Sequence, residues 1–153
     1  NSLLPDLSIW RNIVREYSEE LLGQPEHDGS SGRPLDYDHW PFFRTMQNAR
    51  KSGKLRVYIL GVTLNSLSLN AAVVTVAVID SSVFDSLFHN PSQVNAEGEI
   101  VIYLGDNKDG YGLTFDKATV NHLLRCERLV SPNVLAVLSL AWQHREYLLW
   151  TAS

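Results

Sequence analysis

The sequence has few of the features that mark a secreted, membrane or nucleic-acid-binding protein. It contains one cysteine, Cys126, so it can form no internal disulfide, the usual staple of small secreted domains. Its longest apolar stretch, 71–79, is far shorter than the roughly 20 residues that cross a bilayer. A net charge of -4 argues against a dedicated nucleic-acid surface, which is usually basic. These absences favour a cytoplasmic protein with no direct nucleic-acid surface and no membrane contact.

The composition is that of a globular domain. Hydrophobic residues make up 44% of the 153 residues and charged residues 20%, which is close to the globular norm. A chain of this length predicts a single domain over 1–153 that buries a core without disulfides. Because the sequence opens on Asn1 rather than on methionine, it is compatible with a fragment of a longer chain.

Helix and strand signals follow one another along the chain. Ser8 and Gly23 are a typical N-cap and C-cap for an amphipathic helix, and Pro41 suits the first turn of a second helix. The run 73–79 before Asp80 is β-branched almost throughout and apolar except at Thr75, which predicts a strand buried on both faces. These signals predict an α/β (α+β) fold, a small mixed sheet flanked by helices. Three expected helices are 9–22, 41–51 and 133–150. A short helix is expected to start at Asp80 or at Ser81-Ser82 and to run through Phe88, and another to start at Thr114 or Asp116 and to run to about Leu129. The expected strands are 55–62, 73–79 and 100–104.

The densest chemistry lies in the first helix, where Arg15 precedes Glu16, Glu19 and Glu20. Helical spacing places Glu16 and Glu20 at one edge of the apolar stripe and Glu19 further toward solvent. Clustered carboxylates repel one another, so they need an arginine or a cation to neutralise them. Two interpretations are open: an ordinary solvated polar face, or a site for Mg²⁺ or Mn²⁺, which prefer oxygen ligands.

The order Arg15-Glu16-x-x-Glu19-Glu20 resembles the core of the Nudix box. The resemblance implies a helix that binds magnesium and positions a water for attack on a phosphoanhydride. Glu16, Glu19 and Glu20 would then be the metal ligands. Glu19 and Glu20 would be the catalytic candidates, and Arg15 would orient the carboxylates.

The chain departs from the box at several positions. Leu22 stands where the box has glycine, and Gly23 comes one residue later. The upstream glycine and glutamate of the box correspond to Asn1 and Leu7. The strands that precede the box in the Nudix fold are also absent. The resemblance therefore implies a fold incomplete at its N-terminus, whose sheet is completed by upstream sequence or by a partner chain.

Longer stretches resemble a bacterial group of degenerate Nudix-like domains that follow a helix-turn-helix regulator domain. The resemblance implies a ligand-binding role in a transcriptional regulator as much as an enzyme. The stretches that carry it are 23–30, 33–37 and 69–88.

The polar segment 24–40 predicts a long loop beside the acidic helix. His27, Asp28, Arg33 and His39 are its candidate ligand-binding residues, and a small phosphorylated ligand is the expected partner. The alternative is a hydrated loop without function. The basic residues that follow, Arg44 and Lys51 among them, are typical of a solvated helix end.

Two function hypotheses follow from different classes of protein. The first is a Mg²⁺-dependent Nudix-type hydrolase of a nucleoside diphosphate linked to another group. The alternative is a non-catalytic ligand-sensing or dimerisation domain of a transcriptional regulator, for which a homodimer is the expected assembly.

Overall fold

The structure is a computed structural model of the chain. It describes residues 8–25, 35–64, 69–88, 113–125 and 132–150, together with the backbone of 94–95 and 98–99. Helices combined with small sheets confirm the predicted α+β class. Contacts divide the chain into two compact units, Asn1–Leu55 with Ile79–Ile102 and Arg56–Val78 with Tyr103–Ser153. The single-domain expectation stays a prediction.

The described helices are α1 (Ile9–Leu22), α2 (Pro41–Lys51), α3 (Ser81–Leu87), α4 (Lys117–Arg125), α5 (Pro132–Gln143) and α6 (Arg145–Leu149). The described strands are β1 (Leu55–Leu64), β2 (Ala71–Ile79), β3 (Val94–Asn95) and β4 (Gly98–Glu99). Within these ranges β1 pairs with β2, and β3 pairs antiparallel with β4. The strand expected at 100–104 lies outside the described residues.

The ends of α1 are those that its capping residues predict. Ser8 Oγ accepts a hydrogen bond from the Arg11 backbone N–H at 3.4 Å, which satisfies one of the free donors of the first turn. At the other end Gly23 adopts a left-handed backbone conformation with φ of 61°, and its N–H donates to the Ser18 carbonyl. The buried centre of the helix is formed by Val14 and Ser18.

Helix α2 also begins and ends at the predicted residues. Pro41 occupies the first turn, where its missing N–H costs no hydrogen bond. The last turn ends at Ser52, whose N–H donates to the Asn48 carbonyl. Met46 and Ala49 are buried on the inner face of the helix.

The core of the first unit gathers around Phe88, whose side chain is 1% exposed. Its ring packs edge-on against Tyr17 of α1 and Phe42 of α2, with centroid separations of 6.4 and 6.0 Å. Phe84 of α3 lies 4.9 Å from the same ring. Phe88 thus connects three helices, and the surrounding burial raises the pKa of the Tyr17 phenol.

An aspartate caps α3 and another caps α4. Asp80 Oδ1 accepts from the Ser82 N–H at 3.0 Å and from the Ser82 hydroxyl. Asp116 Oδ1 accepts from the Thr119 N–H at 2.8 Å. These bonds favour the charged carboxylates, so the pKa of Asp80, through the Ser82 side chain first, and that of Asp116, through Thr119, lie below their usual range.

In the second unit, contacts of β1 hold the last helices. Arg56 donates from its guanidinium to the Trp150 carbonyl, and the Tyr58 ring packs edge-on against Tyr147 at 5.7 Å. Further along β1, the Thr63 hydroxyl donates to Asn133 Oδ1 of α5 at 2.9 Å. Among the described residues of this unit, the buried apolar side chains are Val74, Val120, Ala141 and Leu148.

The helix expected over 133–150 is instead two helices, separated at His144. In a continuous helix the Trp142 carbonyl would accept from the Glu146 N–H. Here it accepts from Arg145 Nη1 at 2.9 Å, and the Arg145 guanidinium lies 4.4 Å from the centroid of the Trp142 ring. The prediction of one helix was wrong, because at the Trp142 carbonyl the Arg145 side chain takes the place of the Glu146 backbone N–H.

Strand β2 is less buried than its sequence predicts. Val74 is 2% exposed, but Val73 is 49% exposed and Ala71 is exposed as well. The expectation of burial on both faces is therefore wrong for the single chain. The physical reason is that a sheet only two strands wide, as the described residues form it, gives helices little area on which to pack. In the described part of the chain, no helix is long and apolar enough to cross a membrane.

Met46 offers a test of the core of the first unit. Its side chain is fully buried, so Met46→Ala should lower the free energy of unfolding by about 2–5 kcal/mol through lost contacts and a cavity. Met46→Leu, which nearly conserves volume, should cost less than about 1.5 kcal/mol. Urea unfolding followed by circular dichroism measures both. Equal stability of the alanine variant and the wild type would contradict the packing described for α2.

Candidate functional site

Arg15 and the acidic residues of α1 form a paired cluster. Arg15 Nη2 lies 3.5 Å from Glu16 Oε1, and Arg15 Nε lies 3.8 Å from Glu19 Oε1. The Glu16 side chain is 54% exposed and the Glu19 side chain 13%, while Glu20 is half-buried. The structure thus brings Arg15 against two of the three predicted ligands.

The burial of these acids corrects the expected orientation of the helix. Sequence spacing placed Glu16 at the edge of the apolar stripe and Glu19 toward solvent, and that prediction was wrong. The buried face is centred on Val14 and on Ser18, a small polar residue that an apolar stripe leaves out. With the face centred there, Glu16 lies on the far side of the helix.

This arrangement does not offer a ready metal site. Arg15 pairs with Glu16 and Glu19 and so offsets part of the negative charge of the cluster. Among the described residues, no group of three His, Cys, Asp or Glu side chains is placed to hold a metal ion. Magnesium or manganese at Glu16, Glu19 and Glu20 stays a prediction, and no catalytic step is derived through it.

Of the predicted loop 24–40, residues 24–25 and 35–40 are described. His27, Asp28 and Arg33 lie outside them. His39 lies in a turn where its backbone N–H donates to Asp36 Oδ1 at 3.2 Å and its Nδ1 is 2.9 Å from Asp36 Oδ2. The hydrogen bond from the His39 side chain, followed by that from its backbone, holds the pKa of the Asp36 carboxyl below its usual range.

A surface cavity of about 250 Å³ lies between this turn and α2. Four polar side chains of α2 share its lining at helical spacing, and an acid and two aromatic rings complete it. The lining residues are Tyr37, Asp38, Phe43, Arg44, Gln47, Asn48 and Lys51.

The rings of Tyr37 and Phe43 form the aromatic wall of this cavity, and residues of α1 hold them in place. The Tyr37 ring is 4% exposed and packs edge-on against Phe43 at 5.1 Å. The Arg11 guanidinium lies over Tyr37, 4.6 Å from the ring centroid, and Trp10 packs against Phe43 at 6.4 Å. These contacts with α1 fix the orientation of both rings.

Sequence reasoning did not identify the α2 residues of this cavity. Arg44 and Lys51 were expected to form a solvated helix end, and Gln47 and Asn48 carried no prediction. A signal was present, because positions i, i+3, i+4 and i+7 share one helix face and all four residues are polar. That spacing describes any exposed helix face, so only the folded turn at 35–40 distinguishes this one.

No family model, curated protein or solved structure matches this chain. The Nudix resemblance therefore stays a prediction.

The turn at His39 makes a titration prediction. Because the hydrogen bond from the His39 side chain is the largest cause of the lowered Asp36 pKa, His39→Ala should raise that pKa part of the way toward the ordinary value of about 3.9, while the backbone hydrogen bond of residue 39 remains. Carboxyl-detected NMR titration measures it residue by residue. Asp80, whose pKa is lowered by Ser82, is the internal control and should not move. An unchanged Asp36 pKa in the variant would show that the hydrogen bond does not form.

Proposed function

We propose that this chain is a small-ligand-binding module that holds a phosphorylated ligand in the α2 cavity, as a non-catalytic sensing domain does. The supporting observation is the convergence of two cationic side chains and two amides on one cavity with an aromatic wall. A concave site where a few polar groups converge beside aromatic side chains is typical of a ligand pocket.

The charges of the cavity suit an anion. Arg44 and Lys51 lie two helical turns apart on one face of α2, with Gln47 and Asn48 between them. A guanidinium can donate two parallel hydrogen bonds to a phosphate, and an ammonium adds a compact charge. Asp38 offers an acceptor to a ligand hydroxyl or amino group.

Gln47 is the most adaptable group in the lining. Its Oε1 is buried and accepts no hydrogen bond within the described part of the chain. Buried amide oxygens usually have a donor. Rotation of this amide toward a ligand would therefore cost no hydrogen bond at that oxygen, and a hydroxyl or amino group of the ligand could donate one to it.

The size of the cavity limits what it encloses. At about 250 Å³ it is smaller than the roughly 300–1,000 Å³ typical of small-molecule pockets. It has room for a phosphate and a group of about one ring beside Phe43 and Tyr37. A larger ligand would extend into solvent.

The Mg²⁺-dependent hydrolase is the second candidate, and one observation favours it. Arg15 contacts both Glu16 and Glu19, as the resemblance to the Nudix box implies for a residue that orients the carboxylates. Its substrate would be a nucleoside diphosphate linked to another group. A single compound of that class can therefore test both functions.

ADP-ribose with Mg²⁺ is a suitable probe. Binding to the folded state alone stabilises it by about 2.7 kcal/mol at a hundredfold excess over Kd, which is a rise of several degrees in melting temperature. We expect that rise in the wild type, and we expect Arg44→Gln and Lys51→Gln each to reduce it. Lys54→Gln is the matched control, because Lys54 is exposed and does not line the cavity.

Product analysis separates the two functions. The sensing proposal expects no AMP release above background. AMP release that scales with protein concentration and disappears in Glu19→Gln and Glu20→Gln would establish the hydrolase instead. No thermal shift in any variant, with no turnover, would contradict both.

A further inference from the structure

Strand β2 has the sequence of an interior strand, yet one of its two edges has no partner strand among the described residues. Its nine residues, Ala71–Ile79, include no charge, no proline and no glycine. Natural edge strands are usually protected by such residues against pairing with other chains. Among the described residues, however, β1 is the one strand that pairs with β2.

The hydrogen bonds at the ends of the sheet show which residues of β2 face away from β1. The Asp80 N–H donates to the Lys54 carbonyl at 2.8 Å, and the Thr63 hydroxyl lies 3.4 Å from the Ala72 carbonyl, so the strands run antiparallel. In an antiparallel pair, residues alternate between bonding the neighbouring strand and facing away from it. Since Asp80 bonds toward β1, the backbone groups of 73, 75 and 77 face the other edge.

We propose that a second copy of this chain pairs with that edge, β2 against β2 in antiparallel orientation, on a two-fold axis at Thr75. In this register Thr75 faces Thr75 of the other copy in a hydrogen-bonded pair, and Val73 faces Ala77. Residues 73, 75 and 77 carry the outward backbone groups, so the register uses donors and acceptors that no other described strand pairs with.

The side chains favour a second copy over an unrelated strand. About Thr75 the sequence is nearly symmetric, since Val74 meets Val76 and small or β-branched residues meet throughout. Cross-strand pairs of this kind stabilise a sheet, and no like charges oppose each other. The pairing would also cover Val73, which is 49% exposed in the single chain. The resulting four-stranded sheet would place β2 in the interior position that its sequence predicts.

Sedimentation velocity on the full chain tests the assembly. We expect a concentration-dependent dimer for the wild type. Thr75→Lys and Thr75→Glu each place like charges face to face on the axis and should each weaken the dimer by at least about tenfold in Kd. An equimolar mixture of the two variants should dimerise again, because a lysine then faces a glutamate.

Val62→Lys is the matched control. Val62 is 69% exposed on β1, so a lysine there should leave the dimer intact. If circular dichroism shows that the Thr75 variants do not fold, Val73→Lys replaces them, because that position already tolerates exposure. Val73→Lys should weaken the dimer, and adding Ala77→Glu chains should restore it.

Three outcomes overturn the proposal. The first is a wild type that stays monomeric at about 100 μM, a concentration at which a micromolar dimer is almost fully formed. The second is a folded Thr75→Lys variant that dimerises as the wild type does. The third is a mixture that fails to recover, which would mean that residue 75 does not lie on the axis.

Discussion

The packing of Phe88 is the interaction on which the first unit depends. One ring contacts α1, α2 and α3, so the positions of these helices are set by a single buried side chain. Helix α2 is then fixed with Met46 and Ala49 inward. Its opposite face carries the cations of the cavity outward, and the site is thus a consequence of how α2 is packed.

The elements predicted most accurately from the sequence are those whose ends are determined by residues at the ends themselves. Ser8, Gly23 and Pro41 act through the hydrogen bonds and backbone angles of their own helix, and the bounds of α1 and α2 follow from them. The break at His144 could not be predicted in this way. It depends on which donor reaches the Trp142 carbonyl, and a side chain and a backbone N–H compete for it.

In the candidate site, too, the features that depend on neighbouring residues were predicted and those that depend on tertiary contacts were not. The cluster of Arg15 with Glu16 and Glu19 lies within two turns of one helix, so spacing predicted it. The buried face of α1 was not predicted, because it includes Ser18, which is 1% exposed but has no apolar signature. The cavity depends on the turn at 35–40 folding against α2, a tertiary contact that no local pattern contains.

The carboxylates of Asp80 and Asp116, which cap the N-termini of α3 and α4, make the stability of the fold depend on pH. Because hydrogen bonds lower their folded-state pKa, Asp80 and Asp116 stabilise the folded chain above the unfolded pKa of about 3.9. That contribution is lost as the pH falls through the lower folded-state pKa. Protonation removes the acceptor charge at the start of one helix in each unit, so acidification weakens both units by the same chemistry.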